Sequence, residues 1–561
     1  MDEDVPGTCR LYDVEASSTT SDAPLLVPQP TDSPHDPLNW SLTRKVWHTI
    51  LVCSVTGLTA AISNDAGSAQ DQMNEQLGIS YDVMNDAAGI LFLGIAMATF
   101  LLYPSTILYG RRIQYMISLV FGFLGSIWFA RTQTAGDSIG SQLFCGISES
   151  CAEALVQLSL CDIYFSHQRG SAIAMYVLAT SVGTFMGPLL AGLIETGQGT
   201  FRWIGWWGAI SSGLLLVVFF FGLQESYYDR TLAERETRKN LGDDAIGDRH
   251  FKAGDDRHIL GEEAMAKSDE KGAPAQELIA PRPRANDPAT TSSSRSRAYL
   301  KSIALITPSR QVRGTGLAQY GRLLWTFPRI FLLPAVVYSG IQWGAQDAWL
   351  TFYLTTEAET WYDAPYNYTD KAAGLMNVPS LIGAIIGCLY AGPLSDWFCL
   401  WCARRRGGLR ESEDRLVFFV LPGLVSPAGM LLFGIGSDRG WHWPVPYLGL
   451  GFIGFGWGCA GDLALSYLID SYPELVLEGL VAVALINNLI AMVGAFVTQS
   501  WLDSAGVAGT YISLAVLDFV IIIVLTAIIM VYGKRWRRAS VARYSVCLQM
   551  KETMNLGNFG G

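Results

Sequence analysis

Charged residues are scarce in this chain of 561 residues, since Asp, Glu, Lys and Arg together make up 16% of it. A soluble protein carries about a quarter charged residues, so the low share indicates a chain that lies largely in lipid. The formal net charge of −11 argues against a nucleic-acid partner, because such partners need a basic surface. The 10 cysteines are too dilute for a disulfide scaffold.

Metal-binding and catalytic patterns are also missing. Cys399 and Cys402 have metal-ligand spacing, but the sequence offers neither a second pair nor a nearby histidine. It contains no nucleophile–base motif, so we predict a protein that is not an enzyme and uses no metal or other cofactor. The polar N-terminus has no apolar core before Val46, and we therefore expect no cleavable signal peptide.

Long apolar segments dominate what is present. Half of the residues are hydrophobic, and the mean hydropathy is +0.27. A bilayer core takes about 20 apolar residues per helix, and segments of that kind predict an all-α integral membrane protein with twelve transmembrane helices. The first six predicted spans are residues 46–66, 86–109, 113–130, 138–165, 170–194 and 203–224. The second six are residues 330–355, 372–392, 415–436, 445–469, 477–500 and 509–532.

A long polar segment separates the two groups of spans. Residues 225–328 are rich in charge, Ser and Pro and cannot bury enough apolar surface to fold. We expect a mostly disordered cytosolic linker there, between an N-terminal six-helix bundle (46–224) and a C-terminal one (329–532). Residues 1–45 are expected to form a disordered cytosolic tail and residues 533–561 a second cytosolic tail. Two pseudo-symmetric halves of this kind are typical of internally duplicated transporters.

Lys and Arg in the short loops predict the orientation of the chain. Arg111, Arg112 and Arg169 fall in loops on one side, together with residues 404–406 and the basic ends of both tails. Since cytosolic loops are enriched in such residues, we expect cytosolic termini in a multi-pass protein of the plasma membrane, with the vacuole as the alternative. The triplet that begins at Asn367 falls on the outer side and is a candidate glycosylation site.

Acidic residues interrupt two predicted spans near their middle. Glu153 stands nine residues before Asp162, and Asp462 stands eight before Asp470, each pair ending a span. At 1.5 Å per residue the inner acids lie about 12–14 Å from the cytosolic end of a core about 30 Å thick. A carboxylate at that depth usually faces a water-filled path or a partner. We predict proton coupling through Glu153, Asp462 and Glu149; protonated carboxyls that only bond inside the bundle are the alternative.

Corresponding loops of the two halves contain candidate gating residues. Gly110 precedes a basic turn after span two, and Gly392 precedes another after span eight. Asp396 can meet a helix N-terminus or an arginine, which forms a latch that breaks when the bundles move. A basic anchor without a role in the cycle is the alternative. The predicted gating and packing residues are Gly110, Arg111, Arg112, Asp162, Arg169, Gly183, Gly187, Pro188, Gly192, Gly392, Asp396 and Asp470.

Span five contains the run "GTFMGPLLAG", from Gly183 to Gly192. Gly183 and Gly187 form a smooth face, and Pro188 allows a kink. We expect this face to press against the other half and to seal one side of a cavity. Ordinary packing of small residues is the alternative.

These motifs resemble the major facilitator superfamily, in particular the fungal twelve-span drug:proton antiporter branch. The resemblance rests on the span-five run, on "GPLSD" at residues 392–396 and on "DPLNWS" at residues 36–41. "YLIDSYPE" at residues 467–474 is similar to a subgroup that contains yeast polyamine and cation carriers and amiloride- or cycloheximide-resistance proteins. The resemblance covers about residues 36–540 and implies a cavity between two six-helix bundles.

The resemblance also implies which polar and aromatic residues line that cavity. The expected substrate-binding residues are Asn64, Asp65, Tyr176, Gln342, Trp343, Gln346, Asp347, Asn377, Tyr467, Asn487 and Asn488. Acids together with Trp and Tyr suit a cationic or amphipathic organic molecule. We predict proton-coupled efflux of a small organic compound (a drug, toxin or secondary metabolite) by alternating access. Proton-coupled uptake of a cation, polyamine or nutrient, and a non-transporting nutrient sensor with the same fold, remain alternatives.

Two positions depart from the family pattern. The usual Asp of the first loop falls on Ile107, and the arginine of span four falls on Gln142. Gln cannot exchange a charge with a carboxylate. Coupling then rests on Glu153, Glu149 or Asp462 alone, or the protein is closer to a facilitator.

Overall fold

The computed structural model describes residues 5–10, 27–31, 33, 36–228, 230, 303–307, 316–361 and 365–556. Most of the predicted linker (225–328) therefore lies outside the described residues. The described chain is predominantly helical. The helices of the first half are α1 (Leu42–Asn64), α2 (Gln70–Leu77), α3 (Tyr81–Leu108), α4 (Arg112–Ala130), α5 (Ala135–Cys151), α6 (Gln157–Ile163), α7 (Arg169–Gln198) and α8 (Arg202–Gly222).

The second half follows after the linker. Its helices are α9 (Leu317–Thr326), α10 (Pro334–Thr360), α11 (Asp370–Leu375), α12 (Asn377–Leu389), α13 (Ser395–Arg405), α14 (Pro422–Asp438), α15 (Pro444–Ser471), α16 (Val476–Phe519), α17 (Thr526–Ala539) and α18 (Val541–Leu556). Short 3₁₀ or π-helical turns join several of them, and β1 (Thr8–Arg10) pairs with β2 (Leu409–Glu411).

The prediction of twelve membrane crossings is confirmed in the described part of the chain. Ten helical stretches there are long and apolar enough to span a bilayer, and Leu317–Leu332 with Pro334–Glu357 forms a further one, bent by 86°. The stretch Val476–Ala539 has 64 residues, which corresponds to about 96 Å of helix. That length is about three times the bilayer core. It therefore contains two crossings, which meet at Gly506, a residue with non-helical φ 67° and ψ 169°.

Local sequence signals explain where several helices begin and end. Gly78 and Gly199 adopt the left-handed conformation (φ 67° and 70°) and end α2 and α7, because a residue without Cβ takes that conformation without strain. Thr134 and Asp137 form a capping box at the start of α5. These helix ends determine where the short loops begin and end on the face opposite the chain termini.

The two halves meet along two pairs of helices. Helix α3 packs along α16, and α7 packs along α12. These pairs are equivalent under the predicted duplication, since spans two and five of the first half correspond to spans eight and eleven of the second. The cavity described below lies between them.

The termini and the arginine-rich loops share one side of the molecule, which we call the terminal face. It comprises residues 109–112, 164–169 and 406–415 and the helices α9 and α18. Contacts connect these segments, for example the hydrogen bond of 3.2 Å that Arg410 donates to the carbonyl oxygen of Ser166. On the orientation predicted above, the terminal face is cytosolic.

Part of the N-terminal tail is ordered on this face, in contrast to the expectation of disorder. β1 pairs antiparallel with β2, with Cys9 opposite Arg410. Asp36 begins a 3₁₀ turn and accepts the Leu38 N–H at 3.0 Å. Burial alone would raise the pKa of Asp36, but N–H groups of Thr31 and Leu38 and the Arg230 guanidinium bring it below its ordinary value. A strand of three residues is too short to show a pattern, so the sequence did not reveal this pairing.

Candidate functional site

A cavity of about 120 Å³ lies between the two halves, near the middle of the spans. Both halves contribute to its wall, as expected for a transporter of this architecture. Its rim includes Gln70 and Asn85, on the face opposite the terminal face. The other polar and aromatic wall residues are Ser63, Asn64, Phe92, Phe129, Ser138, Gln142, Glu149, Glu153, Thr180, Thr184, Trp343, Asp347, Thr351, Thr355, Trp457 and Asn488.

Three carboxyl groups line this cavity, Glu149 and Glu153 from the first half and Asp347 from the second. Asn487 donates to Glu153 Oε2 at 3.4 Å from α16. Within the described residues, the wall contains no Lys, Arg or His. Carboxylates without a basic partner in a low-dielectric space attract cations, so the wall has the chemistry of a cation site.

The local helix geometry positions Glu153. Residues Ala152–Val156 form a π-helical turn between α5 and α6. Such turns insert one extra residue into a helix and are frequent at functional sites. Glu149 and Glu153 stand four residues apart at the start of this turn, and both line the cavity.

Two tryptophans, together with Phe92 and Phe129, form the aromatic part of the wall. The rings of Trp343 and Trp457 lie 4.7 Å apart between centroids, at an interplanar angle of 53°. Gly461 makes room for them, since a Cβ at this position would lie 2.5 Å from the Trp343 ring. Aromatic faces next to carboxylates stabilise organic cations through cation–π attraction.

Several predicted substrate-binding residues lie away from the cavity, which corrects the expectation for them. Gln342 donates to the Ile521 carbonyl and Gln346 to Asp518, so both point into the C-terminal bundle. Tyr467 packs on Tyr338. The other predicted residues outside the wall are Asp65, Tyr176, Asn377 and Asn487. The reason is helix rotation: a span that is polar on two sides gives no sequence signal for which side faces the other half.

Asp462 also lies outside the cavity, although its predicted depth suggested a site there. Its side chain is fully buried and accepts a hydrogen bond of 3.0 Å from Ser466. It lies beside Gly392, and this position is nearer to the terminal face than the wall of the central cavity is. The position therefore gives no support for Asp462 as the proton-coupling residue.

The cavity includes residues that the sequence reading missed. Thr180 and Thr184 stand one turn apart on α7, and both line the cavity. Their spacing of four residues was a usable signal, since it places both hydroxyls on one helix face. Trp457 stands in a glycine-rich run of span ten, where the predicted functional residues are Asp462, Tyr467 and Asp470.

On the terminal face, Asp396 connects the two halves. Its carboxylate accepts the backbone N–H of Ser171 at 2.7 Å and the Ser171 hydroxyl at 2.9 Å, both from the start of α7. Within its own half it pairs with Arg415 at 2.7 Å. Arg415 also lies 3.5 Å from Asp470, which in turn pairs with Arg410. Asp396 thus contacts both partners that its sequence position suggested, a helix N-terminus and an arginine.

The corresponding loop of the first half obtains its carboxylate from elsewhere. Glu225, just beyond α8, accepts the N–H groups of Arg111 and Arg112 at 3.1 and 3.2 Å. Arg111 forms an ion pair with Asp162. Gly110 has φ 93°, and a Cβ there would lie 2.7 Å from Glu225. Although Ile107 occupies the position of the usual Asp, Glu225 supplies a carboxylate to this loop.

The glycine face of span five has a different partner from the one expected. Gly183 and Gly187 pack against Gly57 and Ala61 of α1, in the same half, rather than against the other half. The other half approaches two residues after Gly187, where a Cβ on Gly374 would lie 3.2 Å from the Leu189 Cα. Small residues are needed for close packing of two helices within one half, and they are equally needed for a seal between the halves. The glycine pattern alone therefore could not distinguish these two kinds of contact.

Comparisons with known proteins agree with the fold. The Major Facilitator Superfamily profile matches residues 50–498. An uncharacterised MFS-type transporter of Schizosaccharomyces pombe is 46% identical, with 99% of this chain and 96% of that protein covered. Protein HOL1 of Saccharomyces cerevisiae is 44% identical over 95% of both chains.

Solved structures show the same architecture at low sequence identity. A proton:xylose symporter, XylE, superposes with a TM-score of 0.54 at 13% identity and covers 86% of this chain and 95% of its own. The human organic anion transporter MFSD10 gives a TM-score of 0.51 at 15% identity over 86% of this chain and 100% of its own. These likenesses concern the fold alone.

Proposed function

Because the chain belongs to the major facilitator superfamily, we propose that it is a proton-coupled secondary transporter of a small organic cation. The observation that carries the proposal is the central cavity, in which Glu149, Glu153 and Asp347 meet with no basic side chain among the described wall residues. Two tryptophan rings complete a wall suited to an organic cation. Alternating access then exposes this site to each side of the membrane in turn.

The size of the cavity favours a compact substrate. Pockets for drug-sized ligands measure about 300–1,000 Å³, whereas this cavity measures about 120 Å³. A small or narrow cation with few side groups fits better than a bulky drug.

Export is the direction that we propose first. The run from Gly183 to Gly192 resembles the antiporter motif and forms the tight contact of α7 with α1. Uptake is the second candidate, favoured by the rim at Gln70 and Asn85, which lies on the predicted outer face. We propose the plasma membrane as the location. There, export and uptake alike would move the cation between the cytosol and the medium.

Transport in proteoliposomes tests the cation site. The full chain is reconstituted, and flux is measured for a radiolabelled diamine, a monoamine and a neutral diol of equal chain length. We expect flux to fall in that order, because each ammonium group that meets a carboxylate contributes about 1.5–3 kcal/mol, roughly ten- to a hundredfold in affinity. Preference for the diol would refute the proposal.

Variants then assign the roles of the acids. Glu153→Gln is expected to keep counterflow exchange at equal pH but to lose accumulation driven by a proton gradient, since the amide cannot release a proton. Asp347→Asn is expected to weaken the affinity for the cation. Glu357→Gln is the matched control, because Glu357 is a buried carboxyl of the same helix that bonds to Asn377 outside this cavity. Full proton-driven accumulation by Glu153→Gln would move the coupling role to Glu149 or Asp347.

A further inference from the structure

A second cavity lies on the terminal face, between the two halves and near the membrane surface. Its volume is about 610 Å³, about five times that of the central cavity. This volume is within the range of about 300–1,000 Å³ that is typical of ligand pockets. Arg111, Asp162 and Arg169, named above as candidate gating residues, line this cavity, but none of the roles assigned above gives it a ligand.

The wall of this cavity is largely apolar and comes from four parts of the chain. Ile107 and Leu158 contribute from the first half and Leu475 from the second. Helix α9 and the turn after it form the roof with Leu323 and Phe327, and α18 closes one side. Such a wall favours a ligand with an apolar body.

The roof helix is suited to the membrane surface. Leu317 and Trp325 of α9 are 90% and 86% exposed, while Leu323 on the same helix is 6% exposed and faces the cavity. Exposed apolar residues on a short amphipathic helix are typical of helices that lie in the interface of a bilayer. Lipid molecules of that leaflet are therefore close to the cavity.

One basic side chain of the wall has no partner. Arg169, the first residue of α7, is 8% exposed. Among the described residues it has neither an ion pair nor a hydrogen-bond acceptor, and its Nε is buried without a partner. The other basic residues of the wall are paired, as Arg111–Asp162, Arg230–Asp36 and Lys551–Glu478.

A guanidinium whose Nε is buried without a partner is unfavourable unless an anion or water satisfies it. An oxyanion is the ligand that its planar fork of N–H donors matches best. The start of a long helix adds further positive potential at the same point.

From this arrangement we propose that the terminal-face cavity binds an anionic lipid, with its phosphate on Arg169 and its acyl chain between Leu323, Phe327 and Leu475. The phosphate chemistry is shared with soluble phosphate compounds, but the apolar wall and the interfacial roof helix select the lipid. Because both halves form the wall, a bound lipid stabilises the arrangement of the two halves described here relative to one in which they move apart on this face. The site therefore regulates transport and is separate from the substrate cavity.

Binding to the full chain tests this site independently of transport. The purified protein is titrated with lysophosphatidic acid, lysophosphatidylcholine, glycerol 3-phosphate and inorganic phosphate. Thermal stability is one readout. Protection of Cys161 from alkylation is the other, because Cys161 lines this cavity. We expect lysophosphatidic acid to stabilise the protein and to protect Cys161 at far lower concentration than either soluble phosphate.

Variants connect the binding to the proposed contacts. Arg169→Gln is expected to weaken binding of lysophosphatidic acid about ten- to a hundredfold, and Leu323→Gln to weaken it through the acyl chain. Arg405→Gln is the matched control, since Arg405 is an exposed arginine that lies over Trp401 at 3.9 Å and not in the cavity. Arg169→Lys keeps the charge and provides a second variant if Arg169→Gln does not fold.

Three results would overturn the proposal. The first is equal affinity of the parent and Arg169→Gln for lysophosphatidic acid. The second is equal affinity of the parent for inorganic phosphate, which would identify a soluble ligand instead of a lipid. The third is equal weakening by Arg405→Gln, which would indicate unspecific attraction to the basic face.

Discussion

Asp396 holds the two halves together on the terminal face through Ser171, and Ser171→Ala removes one of the two hydrogen bonds between them. The lost bond is that of the Ser171 hydroxyl at 2.9 Å, whereas the backbone N–H at 2.7 Å remains. Both bonds must break when the terminal face opens, because Ser171 and Asp396 belong to different halves. The variant should therefore favour the open state.

The magnitude follows from the nature of the acceptor. A hydrogen bond to a charged group contributes about 1.5–3 kcal/mol. Asp396 keeps Arg415 and the remaining N–H, so we expect the lower end, about a tenfold shift toward opening of the terminal face. Asp396→Asn is a less suitable variant, because it leaves the fully buried Arg415 without its nearest carboxylate and breaking such a pair destabilises a protein by about 3–5 kcal/mol.

Alkylation of Cys161 from the terminal side measures this equilibrium. In inside-out vesicles with Cys161 as the only retained cysteine, Ser171→Ala should react about ten times faster than the parent. Thr196→Ala is the control, since Thr196 stands on the same helix and donates to the Gly192 carbonyl within that helix. Equal rates for the parent and Ser171→Ala would show that this contact does not hold the terminal face closed.

The remaining predictions concern packing, glycosylation and the linker. Gly187→Val should stop transport or cause a passive leak while the protein still reaches the membrane, because a Cβ there would lie 2.9 Å from the Ala61 Cα; Gly197→Val, with open space around it, is the control in the same flux assay. Asn367→Gln should remove a glycan and increase gel mobility, and a parent protein insensitive to glycosidase would contradict this. Deletion of residues 240–290, which lie outside the described residues, should leave a stable protein in the membrane, and its loss from the membrane fraction would show that the segment is needed for folding.

The number and order of the spans could be predicted because one requirement determines them. Each crossing must satisfy its backbone in lipid with about 20 apolar residues, and this leaves a long, local signal. The rotation of each helix leaves no such signal when polar residues occur on two sides. Gln346 and Asp347 are neighbours in sequence, yet Gln346 donates to Asp518 inside the bundle and Asp347 lines the cavity.

The same limit applies to contacts between distant parts of the chain. Ile107 suggested a loop without its usual acid, but Glu225 supplies a carboxylate to the N–H groups of Arg111 and Arg112. The two residues are separated by five helices in sequence, and nothing in the local pattern around either one links them. Only the three-dimensional structure shows that a distant residue replaces the missing acid, because the two segments come together only in the folded chain.

Charge balance in the central cavity leads to a last prediction, about coupling. Gln142 stands on the wall where a basic residue would neutralise an acid, and the described wall contains no other basic side chain. Carboxylates in a low-dielectric space must then be neutralised by protons or by the bound cation. On the function proposed above, we predict that protons and substrate compete for Glu149, Glu153 and Asp347, which would exchange one for the other without a dedicated arginine.

This competition has a direct measurable consequence. When an organic cation is added to the purified protein in weakly buffered solution, binding should release protons, and a neutral analogue should release none. Glu153→Gln should reduce the number of protons released, whereas the control Glu357→Gln should not, because Glu357 lies outside this cavity. Cation binding without proton release would show that substrate and protons occupy the protein independently, and the protein would then work as a facilitator instead of an antiporter.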